Sequence, residues 1–169
     1  MKTLVIHPLD PTTGFLEPIY SDIDCTVIDK PNQPKRDIVE AIKNHDRIIM
    51  LGHGTEQGLL AGWSYIISPS LVYLLREKEC VCIWCNADKF VEKYELKGFY
   101  TGMMISELDE AEMFKVRSTE VEINYSNMLF TSAVKEAIQS ENMVETALEL
   151  YTGDTEVIKY NRERIYETR

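Results

Sequence analysis

Short apolar runs recur through the first two thirds of the sequence, at residues 3–7, 25–29, 47–53, 80–84 and 99–105. Most are continuous rather than alternating, and they are rich in Val and Ile. That pattern predicts strands covered on both faces, as in a parallel sheet. Helical spacing fills the intervals. Residues 34–44 carry Pro34 at an early position that helices accept, with Ile38 and Ile42 on one face. Ser68-Pro69 is a helix start, with Ser as cap and Pro at the first helical position. Residues 87–94 bring Phe90, Val91 and Tyr94 together, and Gly98 turns the chain back into a strand.

No strand is expected after Ile105. Ser106 and Asp109 resemble a capping box, and Thr119 with Glu122 forms a complete one. The helix that follows Thr119 shows Val121, Tyr125, Met128 and Leu129 at helical spacing. A further helix is expected over 141–151, with Gly153 as its stop. Asp154 is placed to cap a last helix containing Val157, Ile158 and Ile165. The sequence has no repeat, low-complexity tract or linker. Strands alternating with helices, then helices alone, predict one α/β domain over 1–169. It is expected to be a three-layer α-β-α sandwich around a mostly parallel sheet, with a helical C-terminal third.

Composition narrows the function classes. The 169 residues are 44% hydrophobic and 27% charged, as expected of a soluble globular chain. No apolar run reaches the ~18 residues of a membrane span. The N-terminal segment is too short and polar for a signal peptide, so a cytoplasmic protein without membrane association is expected. Net charge is −10, and the acidity lies mostly beyond residue 105. Clustered Lys and Arg are missing, which argues against nucleic acid as a partner. No glycine-rich phosphate loop follows any strand, so no nucleotide cofactor is expected.

Parallel sheets place their sites at the carboxyl ends of the strands. Two such ends carry reactive groups: His53-Gly54 closes RIIMLGHG, and Cys85-Asn86 closes CVCIWCNAD. If these strands are neighbours, both ends open into one crevice. Cys85 precedes a predicted helix whose positive end would favour the thiolate, with Asn86 as a possible cap. His53 could move a proton, and the N–H groups of Gly54 and Cys85 could form an oxyanion hole. The alternative for each residue alone is structural, a strand-end His and a core Cys.

Four segments resemble the caspase-like cysteine peptidases, a clan that includes caspases, gingipains, clostripain, separase and CHAT-type domains. LGHG resembles the His-Gly motif. GLLAGWSYII, turning at Gly62-Trp63-Ser64, resembles the hairpin after it. IWCNAD resembles the strand with the nucleophile, and ADKFVEKYELKGFYTGMMISELDEA the helix and strand beyond. The resemblance implies a caspase-like fold, His53 and Cys85 as catalytic residues, and a peptide or protein substrate. The segment HPLDPTTG follows the first strand and should lie at the same sheet edge, so Asp10, Thr12 and Thr13, with Trp84 and Asn86 beside Cys85, are candidate substrate-binding residues. Asp10 could receive a basic side chain, or it could simply bond its own turn. Trp84 stands where the clan usually has a small residue, which keeps open a second reading, a peptide-binding module without catalysis. A zinc set of Cys80, Cys82, Cys85 and His53 has suitable ligand types but poor geometry within one strand, so no metal is expected. Cys80 and Cys82 read as core.

Overall fold

The computed structural model describes residues 1–168. In chain order the elements are β1 (Thr3–Ile6), β2 (Cys25–Ile28), α1 (Lys35–Lys43), β3 (Arg47–Leu51), β4 (Gly54–Thr55), β5 (Gly58–Ala61), β6 (Ser64–Ile67), α2 (Val72–Leu75), β7 (Glu79–Ile83), α3 (Ala87–Tyr94), β8 (Lys97–Thr101), α4 (Leu108–Met113), α5 (Glu120–Ala137), α6 (Met143–Leu150), α7 (Glu156–Arg162) and β9 (Ile165–Thr168). Short 3-10 turns lie at Gly14–Ile19 and Pro69–Leu71. The main sheet has the order β2-β1-β3-β7-β8-β9, and β4, β5 and β6 form a separate small sheet. All main-sheet neighbours pair in parallel except β8 with β9.

Successive side chains of a strand point to opposite faces, and β1, β3, β7 and β8 divide accordingly, whereas β2, expected to be covered on both faces, is an edge strand with Val27 exposed. Val5, Ile49, Val81 and Phe99 join one buried cluster, with Ile123, Phe130 and Val134 of α5. Leu4, Ile6, Ile48, Met50, Cys80 and Cys82 join a second, with Ile38 and Ile42 of α1 and Phe90 of α3. Burial on both faces is the reason these runs are continuously apolar.

The expectation that strands end at Ile105 is overturned by β9, which closes the sheet as an antiparallel edge through Gly98↔Thr168 to Thr101↔Ile165. Ile165 therefore belongs to this strand and not to the last helix. Two caps fall one residue later than expected. Glu110, not Asp109, accepts from the backbone N–H of Glu107, and Thr155, not Asp154, caps α7 by accepting from Ile158 N–H. The Thr119–Glu122 capping box forms as predicted.

The stripe noted in α5 faces outward: Val121, Tyr125 and Met128 are exposed, with Leu129 half-buried. The buried face is Ile123, Ser126, Phe130, Ala133, Val134 and Ala137. Among the described residues, no helix is long and apolar enough to cross a membrane.

Candidate functional site

The order β2-β1-β3 makes the carboxyl ends of β1 and β3 the place where successive connections leave in opposite directions, the preferred crevice of such sheets. His53 follows β3. Its neighbour β7 runs parallel in the register Arg47↔Glu79 to Leu51↔Ile83, and Gly52 N–H extends the pairing to Ile83 O at 3.1 Å. His53 and Cys85 thus leave adjacent strands at the same edge. Both line a cavity of about 60 Å³, together with Thr13, Leu16, Ile105, Glu110 and Phe130 among others.

The loop after β1 meets His53. Asp10 Oδ1 accepts from Thr12 N–H at 2.8 Å, Thr13 N–H at 3.2 Å and Thr12 Oγ1 at 2.7 Å. Thr12 Oγ1 also lies 2.6 Å from His53 Nε2, and Asp10 Oδ2 lies 3.2 Å from the same nitrogen. The single hydroxyl proton of Thr12 goes to the carboxylate, which accepts only. At the second contact Thr12 Oγ1 is then the acceptor, and Nε2 carries the hydrogen. The neutral ring is fixed as the Nε2–H tautomer, with the lone pair on Nδ1. Partial burial of Asp10 opposes its ionisation. The bonds from Thr12 and the charge of His53 outweigh that effect and hold its carboxyl below the ordinary value. Asp10 and Thr12, expected against substrate, are instead committed to their own turn and to the imidazole, and neither lines the cavity. Thr13 does line it, with its hydroxyl buried and unpartnered.

Cys85 is half-buried, and burial pushes its thiol up to about 11. The negative charges of Glu110 and Glu107 add to the rise, and its own backbone N–H, directed at the sulfur, opposes it. The expected thiolate-favouring effect of α3 is outweighed by this desolvation. Asn86 sits at the start of α3 with φ 62° and makes no side-chain cap bond; it lies outside the cavity lining.

Trp84 is buried among the second cluster, edge-on to Phe90, and its indole N–H donates to Thr55 O at 3.0 Å. It contributes wall to the cavity, but its ring serves packing and ties the small sheet to the end of β7. Gly54 is required for the same reason. A Cβ there would stand 2.1 Å from Trp84 Cδ1 and 2.6 Å from Gly58 O. Gly54 belongs to β4, opposite Leu59, and lies outside the cavity lining.

Cys80 and Cys82 are core residues, Cys80 donating to Leu75 O at 3.6 Å. Among the described residues no three His, Cys, Asp or Glu side chains are grouped to hold a metal ion.

Sequence reasoning missed the far wall. Asn161 is buried in α7, where its Oδ1 accepts from Ile105 N–H at 2.8 Å and its Nδ2 donates to Ile105 O at 2.9 Å. Asn127 Nδ2 donates to Ser106 O at 2.8 Å, and Glu110 Oε2 accepts from Ser106 N–H at 2.6 Å. Three elements therefore pin the segment after β8 across from Cys85. The one usable signal was the acidic residue following Ser106, seen as a cap but displaced by one position.

Comparison with known proteins matches this chain to no family model, no curated protein and no solved structure. The functional reading rests on the chemistry of the site.

Proposed function

We propose that this chain is a caspase-like cysteine endopeptidase, with Cys85 as nucleophile and His53 as its proton-transfer partner. The observation that carries the reading is the convergence of both residues on one cavity from adjacent strand ends, with the imidazole held by Asp10 and Thr12. The three-layer, caspase-like arrangement of the elements and a peptide or protein substrate belong to the same reading.

In it, His53 Nδ1 takes the thiol proton as sulfur attacks the peptide carbonyl, and the imidazolium returns that proton to the leaving amine. Water then cleaves the acyl-sulfur bond. Of the two expected oxyanion donors, Gly54 lies outside the cavity lining, and the Cys85 N–H would have to turn from its own sulfur to the developing oxyanion. Asp10 and Thr12 are positioning residues, since they act through His53. A second reading, a peptide-binding module without catalysis, is favoured by one observation, the thiol pushed up to about 11.

Hydrolysis of a degenerate peptide library, followed by mass spectrometry, separates the two. Under the first reading Cys85→Ala abolishes cleavage. Thr12→Val lowers it about ten-fold or more, and Thr12→Ser restores most of the loss. Cleavage that survives Cys85→Ala sinks the peptidase assignment. Binding of peptides without cleavage by the native chain supports the module.

A further inference from the structure

The cavity beside Cys85 has a composition that selects its occupant. Its walls include Phe15 and Leu16 from the turn after β1, Ile83 at the end of β7, Met104 and Ile105 after β8, and Phe130 of α5. Several polar groups of the wall are occupied with one another. Both ends of the Asn161 amide bond Ile105, and Nδ2 also bonds Tyr151 Oη at 3.1 Å. Asn127 Nδ2 bonds Ser106 O, and Ser106 Oγ donates to Glu110 Oε2 at 3.2 Å. That same carboxylate oxygen accepts from the N–H groups of Ser106 and Glu107. Among the described residues of the wall, the buried side-chain polar atom left without a partner is Thr13 Oγ1, on a residue that is 5% exposed. Its surface is closed to a molecule the size of water, so it is not among the groups that an occupant of the cavity meets.

Size and charge narrow the occupant further. A space of about 60 Å³ is well below the ~150 Å³ cavity that holds benzene. It suits a short aliphatic side chain better than a large ring or an inserted guanidinium. An acidic side chain would meet the Glu110 carboxylate; a basic one could pair with it, but only by laying its charge along Phe15, Leu16, Met104, Ile105 and Phe130.

We infer that this cavity receives the aliphatic, uncharged side chain of the substrate residue preceding the attacked carbonyl. The inference rests on the peptidase reading for its orientation relative to Cys85. The pocket's own selectivity is measurable without any chemistry.

The test uses the full chain with three peptidyl acyloxymethyl ketones that differ only in that residue: Leu, Asp and Arg. Labelling of Cys85 is followed by mass spectrometry. The Leu probe is expected to label Cys85 at least ten-fold faster than either charged probe. Met104→Trp fills the cavity and should remove that advantage when each probe's rate is referred to iodoacetamide alkylation of Cys85 in the same variant. Faster labelling by the Asp or Arg probe, or an undiminished Leu advantage in Met104→Trp, overturns the inference.

If no ketone labels Cys85 although iodoacetamide does, the peptidase reading falls, and the pocket is then judged by binding. N-acetyl-leucinamide should shift the Met104 methyl resonance, whereas the corresponding Asp and Arg amides should not. Absence of that shift overturns the pocket assignment itself.

Discussion

At the scale of single residues, the site sets two opposing conditions. Asp10 and Thr12 engage the Nε2 side of His53, while burial and the charges of Glu110 and Glu107 keep the Cys85 thiol protonated, with its pKa pushed up to about 11. A thiolate is the reactive form, so alkylation of the resting protein should climb steadily between pH 7 and pH 10 without levelling off. Glu107→Gln removes one of the charges and should raise the iodoacetamide rate at pH 8 by a few-fold. A rate that is flat across this range, or unaffected by Glu107→Gln, would show that the surrounding groups do not control the thiol. The raised pKa also gives bound substrate a role. Under the proposed peptidase reading, attack at neutral pH requires proton removal by His53 in the same event, not a pre-formed thiolate.

At the scale of elements, α5 shows where a hydrophobic stripe misleads. Val121, Tyr125 and Met128 recur at helical spacing yet face solvent, while the buried face contains Ser126 and Thr131. These two can be buried because their hydroxyls are bonded, Ser126 to Tyr151 Oη at 2.7 Å and Thr131 to Phe15 O at 3.0 Å. Phe130→Ala should therefore cost about 3–5 kcal/mol, and Val121→Ala no more than about 0.5 kcal/mol. Urea denaturation of the two variants decides it, and similar losses from both would put the buried face elsewhere. The central strands were legible because burial on both sides leaves continuous apolar runs, and α3 was legible over its whole length from Phe90, Val91 and Tyr94. The last strand was not. Ile165–Thr168 is short and edge-lying, and it follows α7 with no Gly or Pro to separate them. His53 and Cys85 were legible as strand ends. The bonds joining Asp10 and Thr12 to His53, and Asn161 to Ile105, span 41 to 56 residues of sequence and leave no local trace.

At the scale of the whole molecule, β1 couples stability to pH through His7. The ring is fully buried, with Nδ1 3.0 Å from Tyr20 Oη and Nε2 unpartnered. Burial lowers its pKa below the ordinary value of 6.5 despite the nearby negative charge of Glu17. The unfolded chain then takes up a proton near pH 6.5 that the folded chain refuses, so stability falls as pH drops below about 6.5. The lowered carboxyls of Asp10, Asp22 and Asp46 act in a separate window, below about pH 4. The urea midpoint should decline between pH 7.5 and pH 5.5, and His7→Gln should flatten that decline. An equal slope in both proteins would assign the effect to other groups. The clamp between Trp84 and Thr55 has an optical consequence for the same molecule. The sequence holds two tryptophans, and the other, Trp63, stands fully in solvent at the turn between β5 and β6. With Trp63→Phe, all indole emission comes from one shielded ring adjacent in sequence to Cys85. Its wavelength and its resistance to acrylamide quenching then report whether the small sheet stays seated on β7 as ligands enter the crevice.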